Sequence, residues 1–282
     1  MFFKVFKLNY KIITFFILIG VIGFSLFYNV NANNEDCVRV PIIMYHSILK
    51  DTSKSGKYTI SPTLLESDFK YLKDNNFSPI FMQDLIDYVY EDSPLPDNPI
   101  IITFDDGYYN NYEYVLPLLE KYEFKAVISI VGNYTDKYSE TGEANPNYGY
   151  LRWCDINSAM QSGYLEFQNH SYDMHSGNGS MIVYNESLEH YKLRFSNDIS
   201  KLQNEFKDNT GYIPTTYTYP FGGITNGTTD ILKDLGFRAS LSCTSGVNYI
   251  SSNSDCLYCL KRNNRPANIS SETFFNKINI YP

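Results

Sequence analysis

From Val40 onward, short apolar runs alternate with stretches in which apolar residues recur every three or four positions. The short runs are VPIIMY (40–45), SPIFM (78–82), PIIITF (99–104), KAVISIV (125–131), GYLEFQ (163–168), TTYTYP (215–220), RASLSC (238–243) and CLYCLK (256–261). Their lengths and their β-branched and aromatic content predict strands. Between them, Ser61-Pro62 is a helix start, with Leu65, Phe69 and Leu72 following at helical spacing. The longest amphipathic stretch carries Leu188, Phe195, Ile199, Leu202 and Phe206 on one stripe and ends near Asn209 to Gly211. Seven or eight strands with intervening helices predict an α/β fold with a parallel sheet buried under helices, and a (β/α) barrel fits the count best.

In such a barrel, functional residues lie just after the C-terminal ends of strands. His46 follows VPIIMY, Asp105 and Asp106 follow PIIITF, His170 and His175 follow GYLEFQ, and YPFGG closes another strand. All are expected at one mouth. SPLPDNP (93–99) reads as a proline-stiffened loop and SGNGS (176–180) as a flexible one. No internal repeat or second domain boundary interrupts the pattern.

The first residues follow a different pattern. Lys4, Lys7 and Lys11 precede an uncharged apolar run from Ile12 to about Tyr28, and Val30-Asn31-Ala32 resembles an export cleavage site. Residues 1–32 are therefore expected to be a targeting segment, cleaved or kept as a membrane anchor, with the lysines inside and a single domain, 33–282, outside. The protein is expected to be secreted, or anchored on the outer face of the membrane or in the cell wall, as a monomer. At 282 residues and 43% hydrophobic, the chain can bury a substantial core. A net charge of -8 argues against nucleic acid as a partner, because duplex binding needs clustered Lys and Arg. The 26 tyrosines and 19 phenylalanines exceed what a core needs, and flat amphipathic rings suit sugar faces, although core filling accounts for most of them. Five cysteines show no framework spacing. CLYC (256–259) lacks the second pair of a zinc knuckle, and a surface disulfide or buried thiols is the favoured reading.

The strongest chemical signal is Asp105-Asp106 in TFDDGYYNN. Two carboxylates at the end of an apolar strand repel each other and lose hydration, so a cation or a proton is expected beside them. A helix N-cap with a second acid near the dipole is the structural alternative. His170 and His175 in QNHSYDMHSG favour the cation, since neutral imidazole is the commonest metal ligand and a loop that bends back can bring a spacing of five together. Two His and one Asp leave open positions, as in a catalytic site and unlike a closed structural one.

TFDDG with a downstream H-S-x-x-x-H, preceded by YHSI and followed by YPFG, resembles the polysaccharide deacetylases of the NodB-homology type, carbohydrate esterase family 4. The likeness covers roughly residues 40 to 265. It implies a distorted (β/α) barrel and a metal-dependent N-deacetylase, with Asp105 as general base and Asp106, His170 and His175 as ligands of a divalent metal, expected to be zinc, with cobalt, nickel or iron also suited. The implied substrates are N-acetylated sugars in polymers such as peptidoglycan, chitin and poly-N-acetylglucosamine. The backbone N–H of Phe221, after the YP turn, is the implied oxyanion donor. Two departures stand out: the late L-x-x-H histidine is absent, no histidine occurring after His190, and TYTYPFG lacks the family arginine, leaving Arg262 or Arg265 to replace it. The long histidine spacing and the early YH motif resemble exported poly-N-acetylglucosamine deacetylases, which implies His46 as catalytic acid; a structural histidine closing the first strand is the alternative. His190 reads as a surface residue. Tyr108, Tyr109, Tyr172 and Trp153 are candidate sugar contacts, core packing being the alternative for Trp153, and Tyr219 and Phe221 line the same turn. The rival to an enzyme is a catalytically impaired, carbohydrate-binding wall protein on the same scaffold.

Overall fold

The computed structural model describes residues 37–278, and the targeting segment expected at 1–32 lies outside them. Strands are β1 (Val38–Tyr45), β2 (Ser47–Ile48), β3 (Thr59–Ile60), β4 (Ser78–Pro79), β5 (Pro99–Phe104), β6 (Ala126–Ile130), β7 (Leu165–Asn169), β8 (Thr216–Thr218), β9 (Ala239–Leu241), β10 (Val247–Ile250) and β11 (Asn263–Asn264). Helices are α1 (Pro62–Asp74), α2 (Met82–Glu91), α3 (Leu116–Tyr122), α4 (Gly132–Thr141), α5 (Trp153–Gln161), α6 (Leu188–Thr210), α7 (Thr228–Asp234) and α8 (Ser271–Lys277). The main sheet runs β10-β1-β5-β6-β7-β8-β9 and is parallel except for β10, which pairs antiparallel with β1. It curls so that residues 260–264 span the gap between its ends: Leu260 bridges to Leu241 of β9, and β11 pairs with β1. The distorted (β/α) barrel expected from the pattern is the fold observed.

The strand pleat sorts side chains to two faces. Ile43, Ile100, Ile102, Ala126, Ile128 and Phe167 face outward onto α1, α3, α5 and α6, whose Leu65, Phe69, Leu119, Ile156, Leu202 and Phe206 complete that layer. Val40, Ile42, Ile101 and Val127 face the interior, closed at one end by Met82, Leu85, Ile86 and Val89 of α2. Toward the other end the inner positions become polar. Ser129 and Thr218 share a 2.7 Å hydrogen bond, and Thr103 donates to the Ile43 carbonyl. Asp105 continues the inner row of Ile101 and Thr103, which is why it reaches the mouth from inside.

Helix α1 starts as expected, Ser61 Oγ accepting the Leu64 N–H as N-cap. The buried stripe of α6 is Tyr191, Phe195, Ile199, Leu202 and Phe206, ending at Gly211 in the left-handed region; Leu188, expected on this stripe, is 52% exposed. In SPIFM only Ser78–Pro79 pairs, because α2 begins at Met82. CLYCLK is a 3₁₀ turn (Ser254–Leu257) followed by a single bridge, Leu257 and Leu260 filling the interior at a spacing of three. The antiparallel β10, with one buried residue in two, was not visible as an apolar run.

Glu166 at the start of β7 is a buried carboxyl that accepts from Gln168 Nε2 (2.7 Å) and the Gln83 N–H (3.0 Å); burial outweighs these bonds and pushes its pKa up to about 7. A carboxyl with a folded pKa above its unfolded value stabilises most below the unfolded value of 4.5, and that contribution is lost as pH rises toward 7. Glu166→Gln is therefore expected to flatten the fall in unfolding free energy between about pH 4.5 and 7, a window worth up to roughly 3 kcal/mol. Denaturant titrations across that range measure it.

Candidate active site

The chain leaves β5 through Asp106 and Gly107, both in the left-handed region (φ 72° and 73°). A Cβ on Gly107 would lie 2.9 Å from Ile130 Cγ2, so glycine is required there on both counts. The turn separates the two carboxylates. Asp105 is 2% exposed and meets Arg262 in a bidentate pair, Nη1 to Oδ1 at 2.7 Å and Nη2 to Oδ2 at 2.8 Å. Arg262, fully buried, also donates to the Ser242 carbonyl and to Thr103 Oγ1. Burial opposes ionisation of Asp105, but the Arg262 charge and hydrogen bonds prevail and hold its pKa below the usual value. Of the two arginines left open by the sequence, Arg262 occupies this place. Arg265 pairs instead with the buried Asp68, which also accepts from the Tyr45 hydroxyl.

Asp106 turns to the two histidines. Its Oδ1 lies 3.5 Å from His170 Nε2 and 3.0 Å from His175 Nε2, yet this buried oxygen has no hydrogen bond of acceptable geometry. His170 Nδ1 sits 2.8 Å from the Thr218 carbonyl, which can only accept, so Nδ1 carries a proton, and in the neutral ring the remaining lone pair is on Nε2, the atom that faces Asp106. Lone pairs converging on a carboxylate repel unless a cation lies between them. The ligand atoms are all within 4.8 Å of one another, and a divalent metal fits this donor set; the hydrogen bond behind His170 is the usual orienting partner of such a ligand. Among the described residues, no other group of three or more His, Cys, Asp or Glu is placed to hold a metal, CLYC included.

The loop between the histidines is held from behind. Asn169 Oδ1 accepts the Ser171 N–H (2.8 Å), Ser171 is left-handed (φ 73°), and the Asp198 carboxylate on α6 accepts the N–H groups of Tyr172 (2.7 Å) and Asp173 (2.8 Å). These bonds bend the chain back within five residues. Asp198 was not anticipated; it is one more polar residue on an amphipathic helix, and its partners lie 26 and 25 residues away. Asp198→Asn is expected to weaken divalent-metal affinity about tenfold while the apo protein keeps its melting temperature within a few degrees, measured by chelator competition and thermal unfolding.

His46 follows β1, with Nε2 4.0 Å from Asp105 Oδ2 and the Tyr58 ring 4.7 Å above it. Burial lowers its pKa, partly offset by Asp105 and Asp106. His46, Asp105, Asp106, His170 and His175 all line one cavity of about 510 Å³, with Tyr108 and Phe221 on its wall. Tyr108 stacks on Tyr150, and Phe221, held at φ 55°, places its ring 4.6 Å from that of His175. Lys57, Tyr58 and Cys243 also line the cavity and were not anticipated.

Four expected sugar contacts, Trp153, Tyr219, Tyr172 and Tyr109, do not line the cavity. Trp153 opens α5 with its indole N–H donating to Asp136 (2.8 Å) and its ring against Phe206, so core packing claims it. Tyr219 is fully buried against Tyr217. Tyr172 likewise directs its hydroxyl to Asp136. His190 is on the surface, 3.0 Å from Glu186.

With this geometry in view, residues 92–240, more than half of the chain, match the family described as polysaccharide deacetylase. The chain belongs to the polysaccharide deacetylase family. Relatives in it include the poly-beta-1,6-N-acetyl-D-glucosamine N-deacetylases of Escherichia coli (strain K12), 23% identical over 73% of this chain and 34% of that protein, and of Staphylococcus aureus (strain MRSA252), 24% identical over 66% and 61%. The chain thus spans about a third of the length of the first. Among solved structures, a de-N-acetylase from Aggregatibacter actinomycetemcomitans is 26% identical and superposes with a TM-score of 0.73 over 86% of this chain and all of the other.

Proposed function

We propose that this polysaccharide deacetylase is an exported, metal-dependent N-deacetylase that hydrolyses the acetamide groups of an N-acetylglucosamine polymer and releases acetate. Poly-β-1,6-N-acetylglucosamine is the substrate suggested by the names of the E. coli and S. aureus relatives. The observation that carries the reading is the division of labour between adjacent carboxylates: Asp105 on Arg262, and Asp106 on the two histidines, in one cavity. A divalent metal held by Asp106, His170 and His175 would polarise the acetamide carbonyl and make bound water more acidic. Zinc, cobalt, nickel and iron all suit the donor set.

The protein groups then divide the remaining work. Asp105, kept ionised and oriented by Arg262, takes a proton from the attacking water. The backbone N–H of Phe221 is the proposed donor to the tetrahedral oxyanion. An amide nitrogen leaves only after protonation, and His46 is the group to supply that proton. Burial lowers the pKa of the His46 imidazole, and the proton gathered by Asp105, whose Oδ2 lies 4.0 Å from His46 Nε2, is the proposed source of its acid form. A binding-only role drew support from the missing family arginine, but Arg262 supplies that charge from another strand connection.

Acetate release from poly-β-1,6-N-acetylglucosamine and from peptidoglycan, by wild type and His46→Ala side by side, tests the proposal. Wild type is expected to act on the first polymer, with His46→Ala slower by about 10²–10⁴-fold. Acetate from peptidoglycan alone would reassign the substrate, and none from either would overturn the reading.

A further inference from the structure

Asn110 and Asn111, in TFDDGYYNN, hold the segment that carries His46, and the mechanism makes no use of either. Both are buried, at 1% and 0% exposed. Asn111 Nδ2 lies 2.9 Å from the His46 carbonyl, which can only accept, so the amide nitrogen is the atom that faces it. Asn110 secures the next two residues: its Oδ1 accepts the Ile48 N–H (2.9 Å), and its Nδ2 donates to Ser47 Oγ (3.0 Å) and to the Pro146 carbonyl (3.1 Å). The chain leaving β1 is thus held by two consecutive side chains. Their loop is the one that begins at Asp105, whose own N–H donates to the Tyr45 carbonyl (3.0 Å). Asp105, Asp106 and the clamp behind His46 therefore all belong to residues 105–111.

The backbone departs from a regular helix at this clamp. The Leu116 N–H donates to the Asn111 carbonyl, five residues back, so Asn111–Val115 form a π-helical turn before α3. Pro117 has no N–H to return to Glu113, which breaks the regular ladder here. Such turns are rare and concentrate at functional sites. The His46 ring, by contrast, has no hydrogen bond of its own to direct it. Among the described residues nothing bonds its buried Nδ1, and Nε2 is 4.0 Å from Asp105 Oδ2, beyond hydrogen-bond length. Its direction is left to the backbone that carries it and to the Tyr58 ring.

Resting on the reading of His46 as the acid, we propose that Asn111 is a positioning residue for the deacetylation: it fixes the His46 carbonyl and so aims the imidazole at the departing nitrogen. It works through His46 alone. A proton donor displaced by about 1 Å loses up to roughly 10²-fold in rate, so one backbone hydrogen bond is enough to matter.

The test uses the metal-loaded full chain with Asn111→Leu, which nearly keeps the volume and removes a buried Oδ1 that has no partner, and with Asn111→Ala, each alone and combined with His46→Ala. Melting temperatures show which variants are folded. With β-1,6-linked N-acetylglucosamine oligomers, each Asn111 variant is expected to lower kcat about 10- to 100-fold and to leave KM within about twofold. In the His46→Ala background the same substitution should cost nothing further, because no imidazole remains to be aimed. Hydrolysis of 4-nitrophenyl acetate, whose phenolate leaves without a proton, should change by less than about twofold, whereas a loosened fold would slow both substrates alike. Wild-type acetamide turnover in a folded Asn111 variant, an undiminished loss in the His46→Ala background, or equal losses on amide and ester would each overturn the proposal. So would failure of both variants to fold, which would make Asn111 a purely structural residue. His46→Ala turning over at the wild-type rate is a different result, and it would overturn the reading of His46 as the acid.

Discussion

Arg262→Met is expected to destabilise the protein by about 3–5 kcal/mol and to abolish acetate release together. Asp105 is 2% exposed, and Arg262 is its bidentate partner. Removing one partner of a buried pair leaves the other charge unsolvated, which costs far more than the pair contributes. Activity falls for a separate reason, since the base loses the fork that fixes its two oxygens. The double variant Arg262→Met with Asp105→Leu distinguishes the two effects: it removes both charges, so most of the stability should return, while activity should not. Denaturant unfolding of the three proteins measures this. A single variant as stable as wild type would mean that the pair does not hold the mouth together.

Stripping divalent metal is expected to lower acetate release by about 10³-fold, the scale set by several kcal/mol of lost transition-state stabilisation. The fold should survive the treatment. His170 keeps its bond to the Thr218 carbonyl, and the loop to His175 keeps Asn169 and Asp198, so the ligands stay in place without an ion. Activity should therefore return on adding about one equivalent of metal, with no refolding step. Recovery that instead requires refolding would place the metal in the folding of the loop.

The barrel was legible because its parallel strands are buried on both faces and read as apolar runs, as in PIIITF and KAVISIV. The edge strand β10 was not, since only one of its faces is covered. His46, Asp105, Asp106 and His170 were legible for a related reason: each follows closely on an apolar run, and the barrel rule puts such positions at one mouth. What spacing could not show was pairing across the fold. Arg262 and Asp105 are 157 residues apart, and nothing local separates Arg262 from Arg265, three positions on. Trp153 illustrates the converse error. A lone indole ahead of the histidine motif invited a sugar-binding role, but an aromatic ring near a mouth is as readily drawn into the packing beneath it, and Asp136 satisfied its N–H there.

The most direct measurement is acetate release by Asp105→Asn loaded with metal. Asparagine keeps the shape of the side chain and leaves Asp106, His170 and His175 untouched. The variant is expected to bind about one divalent ion per chain and to release acetate from poly-β-1,6-N-acetylglucosamine about 10²–10⁴-fold more slowly than wild type. A folded, metal-loaded Asp105→Asn with wild-type turnover would contradict the assignment of Asp105 as the base.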